Sequence, residues 1–337
     1  MAATKRRSSS TFSRHVAPFA PLALALAVGA ATSGGPSATV GTVSSQPATV
    51  AGVKAGDLQV EQCEDVQDSA ECHAKYRSGC NNSSKSYDTY LNYVKNTIDF
   101  SGAAQPSTFW DTLEQFQAKE QQLQALEQKL GVKLSTGNHD SFAEPLKNLG
   151  EGALQGALGY LYAITPETGG TGETSNCKLT QSESDVDFHI FIGFDSNRAA
   201  EILTSPNSAK LADKAKSIVV EMTPHYRAAF QPNWNSEVVK SVRGRKVKVV
   251  GQLMVDNDHN DTKDNCGLTG ATSNCWRATV WELHPVTMFQ VCMAADNNCD
   301  VNSSNWVDLE KLSAGAAGTQ GHRTPKKNEA GGSDGDF

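Results

Sequence analysis

The chain has 337 residues, with 30 Lys and Arg against 37 Asp and Glu, a formal net charge of −7 at pH 7. Such a field does not attract polyanions, because affinity for phosphate backbones rests on cations that displace counterions. Any nucleic-acid role must therefore come from a local patch.

Lys5, Arg6, Arg7 and Arg14 precede an apolar run from Ala17 to Val28, which gives way to small residues. A cationic start, a short apolar stretch and an alanine-rich exit predict a signal peptide over residues 1–30, cut near Val28–Ala30. The run is short for a bilayer span, and no second long apolar segment follows, so the mature chain is expected to cross no membrane. Cleavage removes those four cations and no acid, leaving 26 cations against 37 acids and a net charge of −11. The expected address is exported, either periplasmic or extracellular.

All eight cysteines (Cys63, Cys72, Cys80, Cys177, Cys266, Cys275, Cys292 and Cys299) lie after that segment. An even count in an exported chain reads as disulfides. Short spacing suggests Cys266 with Cys275 and Cys292 with Cys299, leaving Cys63, Cys72, Cys80 and Cys177 for two more. The rival reading is zinc, which the absence of paired C-x-x-C motifs disfavours.

Residues 31–57 are rich in Ala, Thr, Ser, Gly and Val and read as a flexible leader. Residues 58–149 read as a helical region. Between Pro106 and Gly131 apolar residues recur at Phe109, Leu113, Phe116, Leu123, Leu126 and Leu130, which predicts an amphipathic helix capped by Ser107 or Thr108 and ended by Gly131. Its Gln- and Glu-rich remainder reads as a solvated face. From about Ala153 the period becomes strand-like. Five strands are predicted: Leu154–Ile164, Val186–Phe194, Ser217–Met222, Val247–Val255 and Thr279–Val291. A helix at Asn235–Val242 precedes the fourth, and Arg198–Lys214 is a helical excursion. Three strands, a helix and two strands is the order of an OB-like Greek-key barrel. The fold class is thus α+β, a helical N-terminal region followed by a five-stranded OB-like barrel over residues 150–300. Gly152, Gly156 and Gly159 fit a bent first strand. Residues 314–337 read as a disordered tail.

The chemistry-bearing residues fall on these strands. Alternation places Val186, Phe188, Ile190 and Ile192 on the core face, with Asp187 and His189 on the other. Glu282 and His284 likewise lie together opposite Trp281 and Leu283. An acid-x-His pair on one strand face sets two ligand-type groups roughly 7 Å apart. Asp187, His189, Asp256, His259 and His284 are therefore candidate ligands for a divalent metal, with Glu221 and Glu282 as candidate catalytic bases. The alternative is structural, with the acids orienting the histidines and Glu221 capping a turn that Pro224 fixes.

Lys240, Arg243, Arg245, Lys246 and Lys248 form the concentrated positive charge. On an OB-like sheet this could bind an oligonucleotide or oligosaccharide, with Tyr160, Tyr162, Trp276 and Trp281 as stacking platforms. It could equally be a solvated hairpin. The loop Asp256–Asp264 resembles a calcium loop only in composition, because Asp261 stands where that loop needs Gly. Motifs for a serine nucleophile elbow, a P-loop, an H-E-x-x-H zinc site and a dinucleotide fold are absent.

Residues 172–291 resemble a group of bacterial exported proteins with an OB-like domain. The residues that carry the resemblance are Gly172–Cys177, Asp187 with His189, Glu221 with Pro224, Gly251–His259 and Trp281–Thr287. The last of these is the most specific. The resemblance implies a domain and an address, and no activity. Three function classes remain: a binding module for an unknown ligand, a metal-dependent hydrolase such as a phosphodiesterase or nuclease, and a structural envelope protein.

Overall fold

The computed structural model describes residues 61–312 apart from 65, 77–78, 82–88, 136–137, 169–172 and 180–181. The expected signal peptide, leader and tail, and Gly172 of the first motif, lie outside the described residues.

The N-terminal part is made of short pieces. Strands β1 (Glu61–Gln62) and β2 (Cys80–Asn81) pair in parallel around helix α1 (Ser69–Lys75), which starts where Asp68 accepts the Glu71 N–H at 2.8 Å. Helix α2 (Thr89–Lys95), strand β3 (Phe109–Trp110), helix α3 (Leu113–Leu130) and helix α4 (Ala143–Asn148) follow.

The long helix begins later than its apolar spacing predicts. Phe109 and Trp110 pair as β3 with Gly156 and Ala157, and Gln115 Oε1 takes the backbone N–H groups of Asp111 and Thr112 at 2.8 and 3.1 Å. That side chain satisfies donors which a helix start leaves orphaned, so the helix begins at Leu113. Its end is as expected, with Gly131 in the left-handed region at φ 67°. The solvated face is interrupted by Glu120, which is buried and accepts from Thr279 Oγ1, the Val280 N–H and Asn265 Nδ2.

The barrel strands are β4 (Leu154–Pro166), β5 (Phe188–Gly193), β6 (Ile218–Met222), β7 (Lys246–Val255) and β8 (Trp281–Cys292). They close in the order β4–β5–β6–β8–β7 and back to β4. Every pair is antiparallel except β6 with β8. The fold is therefore α+β around a closed, mixed five-stranded barrel. A short strand, β9 (Trp306–Asp308), extends β8. Helices α5 (Ser196–Thr204) and α6 (Leu211–Lys214) fill the expected excursion, and α8 (Ser236–Ser241) is the expected crossover helix. Helix α7 (Pro224–Phe230) was not anticipated, although Pro224 at its first turn is a favoured start.

Period-two alternation sorts the faces as the sequence predicts. Val186, Phe188, Ile190 and Ile192 join Val220, Trp281, Leu283 and Val286 in one buried cluster. Phe116, Leu123, Phe142 and Leu146 of the helical region belong to that same cluster. Gly156 shows why β4 needs glycine. A Cβ there would sit 2.5 Å from Phe109 Cδ1, so only hydrogen lets the β3 ring close over the strand.

The eight cysteines form four disulfides: Cys63–Cys80, Cys72–Cys177, Cys266–Cys275 and Cys292–Cys299. Both short pairings match the sequence expectation. No helix among the described residues is long and apolar enough to cross a membrane.

Candidate functional site

Strand register builds the site. His189 of β5 pairs with Glu221 of β6, and Val220 of β6 pairs in parallel with Leu283 of β8. The outward-facing Asp187, His189, Glu221, Glu282 and His284 therefore meet on one side of the sheet. Asp256 follows the end of β7, whose Val255 pairs with Trp281. The N-terminal segment covers this face and closes it to water: Asp187, Glu221, Asp256, Glu282, His284 and Arg277 are all at most 2% exposed.

His284 lies at the centre. Its Nε2 is 3.3 Å from Asp187 Oδ2, and its Nδ1 is 3.0 Å from Glu221 Oε2 and 3.2 Å from Glu282 Oε1. Glu221 also reaches His189 Nε2 at 3.3 Å, and His189 Nδ1 meets Glu167 at 3.1 Å. On the other side Arg277 forks between Asp256 (2.7 Å) and Glu282 (2.5 Å). His259 closes that end, with Nδ1 2.8 Å from Asp264 and Nε2 3.8 Å from Asp256. Asp187 is fixed by Ser175 Oγ, which donates at 2.9 Å, and by its own N–H, which donates to Asn176 Oδ1 at 2.7 Å.

Each of these histidines has a carboxylate at both ring nitrogens, the arrangement that suits an imidazolium with two donors. Burial opposes the charge on His284, but Glu221 and Asp187 outweigh it and hold the ring well above its ordinary value. Burial likewise opposes His189, and Glu221 and Glu167 raise it well above its ordinary value. Burial would also raise Glu221, yet His189, His284 and Lys95 hold it well below the usual carboxylate range. Glu282 goes the other way, raised by burial and then by Glu221 and Asp256. Lys95, at the end of α2, is a buried cation facing Glu173 at 3.3 Å. Burial lowers it, but Glu173, Asp256, Glu221 and Glu282 raise it well above its usual value.

The buried carboxylates Asp187, Glu221, Asp256 and Glu282 thus face Arg277, Lys95, His284 and His189. The site balances its own charge, as buried ions must if they are to stay ionised. Glu221 touches His189 and His284, and Asp256 touches His259, but no carboxylate touches all three rings. The expected ligands share one network without converging on a point.

No family model, no curated protein and no solved structure matches this chain. Its site has to be read from its own geometry.

The network reaches solvent along one edge, where His189, Glu167, His259 and Asp264 are between 15% and 33% exposed. Trp276 lies there, partly open. Its Nε1 donates to Asp264 at 2.8 Å, His189 is nearly parallel to the indole with centroids 6.3 Å apart, and His259 meets the ring edge-on at 4.9 Å. Of the other expected platforms, Trp281 and Tyr162 are buried, and Tyr162 bonds through its hydroxyl to Asp195.

The expected cationic face does not assemble. Lys240 lies 4.0 Å from Glu183, and Arg243 donates to the carbonyl of Pro206. Arg245 is buried and donates to the carbonyl of Ala294. The Lys246 N–H binds Asn297, while Lys248 donates to the Val301 carbonyl and lies over Trp306. The side chains of Arg243, Arg245 and Lys248, with the Lys246 backbone, tie the hairpin to its neighbouring loops. The Asp256–Asp264 loop is likewise internal: Asp256 pairs with Arg277, Asp261 accepts from the N–H groups of Lys263 and Asp264, and Asn260 donates to Glu127. A cleft of about 210 Å³ between residues 103–108 and 152–155 has no charged lining residue.

Sequence reasoning missed Lys95, Glu167 and Arg277. No motif surrounds any of them, and each joins the site only through tertiary packing.

A second histidine pair lies beside the network. His73 of α1 and His225 of α7 stack with centroids 4.0 Å apart and an 8° interplanar angle. Burial, and then the neighbouring His225, push His73 down to about 3. Burial also lowers His225. In the unfolded chain these rings would bind protons near the ordinary value of 6.5, whereas in the folded protein both are lowered, His73 to about 3. Stability is therefore expected to fall as pH drops below 6.5, with a slope approaching about 1.4 kcal/mol per pH unit for each such ring. His189, His259 and His284 act in the opposite sense, because their folded values are raised. Their contribution is present below 6.5 and lost as pH rises through the folded values. Urea midpoints should peak at about pH 6–7. A His73→Phe variant should flatten only the acid limb, and an unchanged acid limb would contradict this assignment.

Proposed function

We propose that this chain is an exported binding module built on an OB-like barrel, taking an oligosaccharide at the open edge around Trp276. The observation that carries the reading is that edge itself: a partly open indole ringed by His189, His259, Glu167 and Asp264. An aromatic face beside carboxylates and imidazoles offers both the stacking surface and the hydrogen-bonding groups that a sugar ring uses.

Three further points support it. The strand order β4–β5–β6–β8–β7, with only β6 and β8 parallel, fits an OB-like fold, whose sheet face takes oligosaccharides or oligonucleotides. The acidic balance and the internal use of Lys240, Arg243, Arg245 and Lys248 argue against the oligonucleotide. Four disulfides fit an oxidising compartment, in keeping with the signal peptide expected over residues 1–30. The kinship with exported OB-like proteins belongs to the same proposal.

The hydrolase reading is weaker. His284, Asp187 and Glu221 are shut away from any substrate, and Glu221 and Glu282 are held by cations on the buried side. The test is a fluorescence titration of the full mature chain with short neutral glucans and, separately, a single-stranded oligonucleotide. Glucan should change the tryptophan signal, and Trp276→Ala should weaken binding at least fivefold, since aromatic stacking contributes about 1–3 kcal/mol. Oligonucleotide binding with no glucan response would reverse the choice of ligand. Equal binding by Trp276→Ala would remove the site.

A further inference from the structure

Three ligand-type atoms, one each from Asp187, Glu221 and His284, lie within 4.8 Å of one another, and all three residues are buried. A second set, Glu221, Asp256 and Glu282, meets the same criterion and shares Glu221. Carboxylates crowded this closely are common around a structural ion pair, so crowding alone decides nothing. The further observation is that contact at His284 is close but poorly directed. Glu221 Oε2 and His284 Nε2 are buried without a hydrogen bond, although they lie 3.0 and 3.3 Å from their ion-pair partners. Asp256 Oδ1 is buried without one as well. At Nδ1, two carboxylates, Glu221 and Glu282, compete for a single proton. An unmet polar atom in a dry site costs about 1–3 kcal/mol, and once His284 gives up a ring proton its nitrogen and the carboxylate oxygens are acceptors for one shared cation.

We propose that Asp187, Glu221 and His284 hold one divalent first-row transition-metal ion, as a buried structural cation. One imidazole nitrogen with two carboxylate oxygens suits zinc or manganese, and calcium and magnesium avoid an imidazole ligand. Ser175 and the Asn176 side chain, which hold Asp187 in place, are the outer groups that orient a ligand carboxylate. His284 gives up one ring proton to solvent as it ligates. The ion then supplies the positive charge that the imidazolium held between Asp187 and Glu221. Its ligands lie on the same sheet face as His189 but are closed to water, and Glu221 reaches the open edge only through His189, so metal uptake and glucan binding are measured separately.

The experiment uses the full mature chain with its disulfides intact, dialysed against chelator and then metal-free buffer. It is titrated with Zn²⁺, Mn²⁺ and Ca²⁺ by calorimetry, with metal content read by elemental analysis. One equivalent of Zn²⁺ or Mn²⁺ per chain and a raised melting temperature are expected, with no uptake of Ca²⁺. Asp187→Asn and Glu221→Gln should each weaken uptake at least 100-fold, while His259→Gln should leave it within twofold. If either ligand variant fails to fold, the wild-type stoichiometry and its metal preference still decide. No uptake at millimolar metal overturns the proposal. So does uptake of several ions per chain that the ligand variants leave unchanged.

Discussion

Replacing Arg277 by methionine is expected to destabilise the fold by about 3–5 kcal/mol, the range for breaking one partner out of a buried ion network. The guanidinium is fully buried, donates to Asp256 at 2.7 Å and Glu282 at 2.5 Å, and bonds the Thr279 carbonyl through Nε at 3.0 Å. Methionine fills the volume but leaves two carboxylates facing each other in a dry site, with Glu221 close by. The strain is relieved only when one of them takes a proton. Glu282 is the group that does so first, since burial, Glu221 and Asp256 already raise it. The loss should therefore shrink as pH is lowered toward the carboxylate range. Adding Glu282→Gln to Arg277→Met should recover part of it, so the double variant loses less than the two single losses added together. Lysine at 277 should rescue little, because one ammonium cannot fork between two carboxylates. Urea denaturation of the parent and the four variants (Arg277→Met, Glu282→Gln, their double and Arg277→Lys) measures all of this. A loss under about 1 kcal/mol in Arg277→Met would show that the network does not depend on its arginine.

The strands and their faces were legible because they depend on local alternation. Asp187-Phe188-His189-Ile190 can present its acid and its histidine only on the face opposite Phe188 and Ile190, and the core cluster holds those apolar residues. That alternation also put Glu282 and His284 together. What was not legible is what the outer face meets. Burial of that face depends on Lys95 and the Ser175 turn folding over it, and nothing near either residue signals contact with a strand far along the chain. The cationic hairpin misled for a related reason. Alternating Lys and Val in β7 fixes which way the lysines point, but the ends of Arg245 and Lys248 are taken by carbonyls of the 294–301 loop, which no spacing reveals. Helix α3 was placed one turn too early because Phe109 fits the helical period and also fits a strand. The tie was decided by the room that Gly156 leaves for its ring.

Removing the Cys72–Cys177 disulfide should have the other large effect. Its cysteines are 105 residues apart, against 7 for Cys292–Cys299. Chain-entropy loss in the unfolded state scales with the logarithm of loop length, which gives about 4.7 kcal/mol for the long loop and about 2.4 for the short one. Both cysteines of a pair have to be replaced together. The sulfurs of Cys72, Cys80 and Cys177 lie within 4.8 Å of one another, so a lone thiol would sit beside the Cys63–Cys80 bond and exchange with it. Cys72→Ala/Cys177→Ala should therefore lose about 2 kcal/mol more than Cys292→Ala/Cys299→Ala in urea. The long link also has a local consequence that loop length does not contain. Cys177 directly follows Ser175 and Asn176, the two residues that fix Asp187, and Cys72 is next to His73, whose Nε2 lies 3.3 Å from the Ser175 carbonyl. Cutting the link should loosen the lid over the network and speed amide exchange at Asp187, whose N–H is held by the Asn176 side chain. Exchange there that stays as slow as in the parent, with the stability lost, would confine the disulfide's role to the unfolded chain.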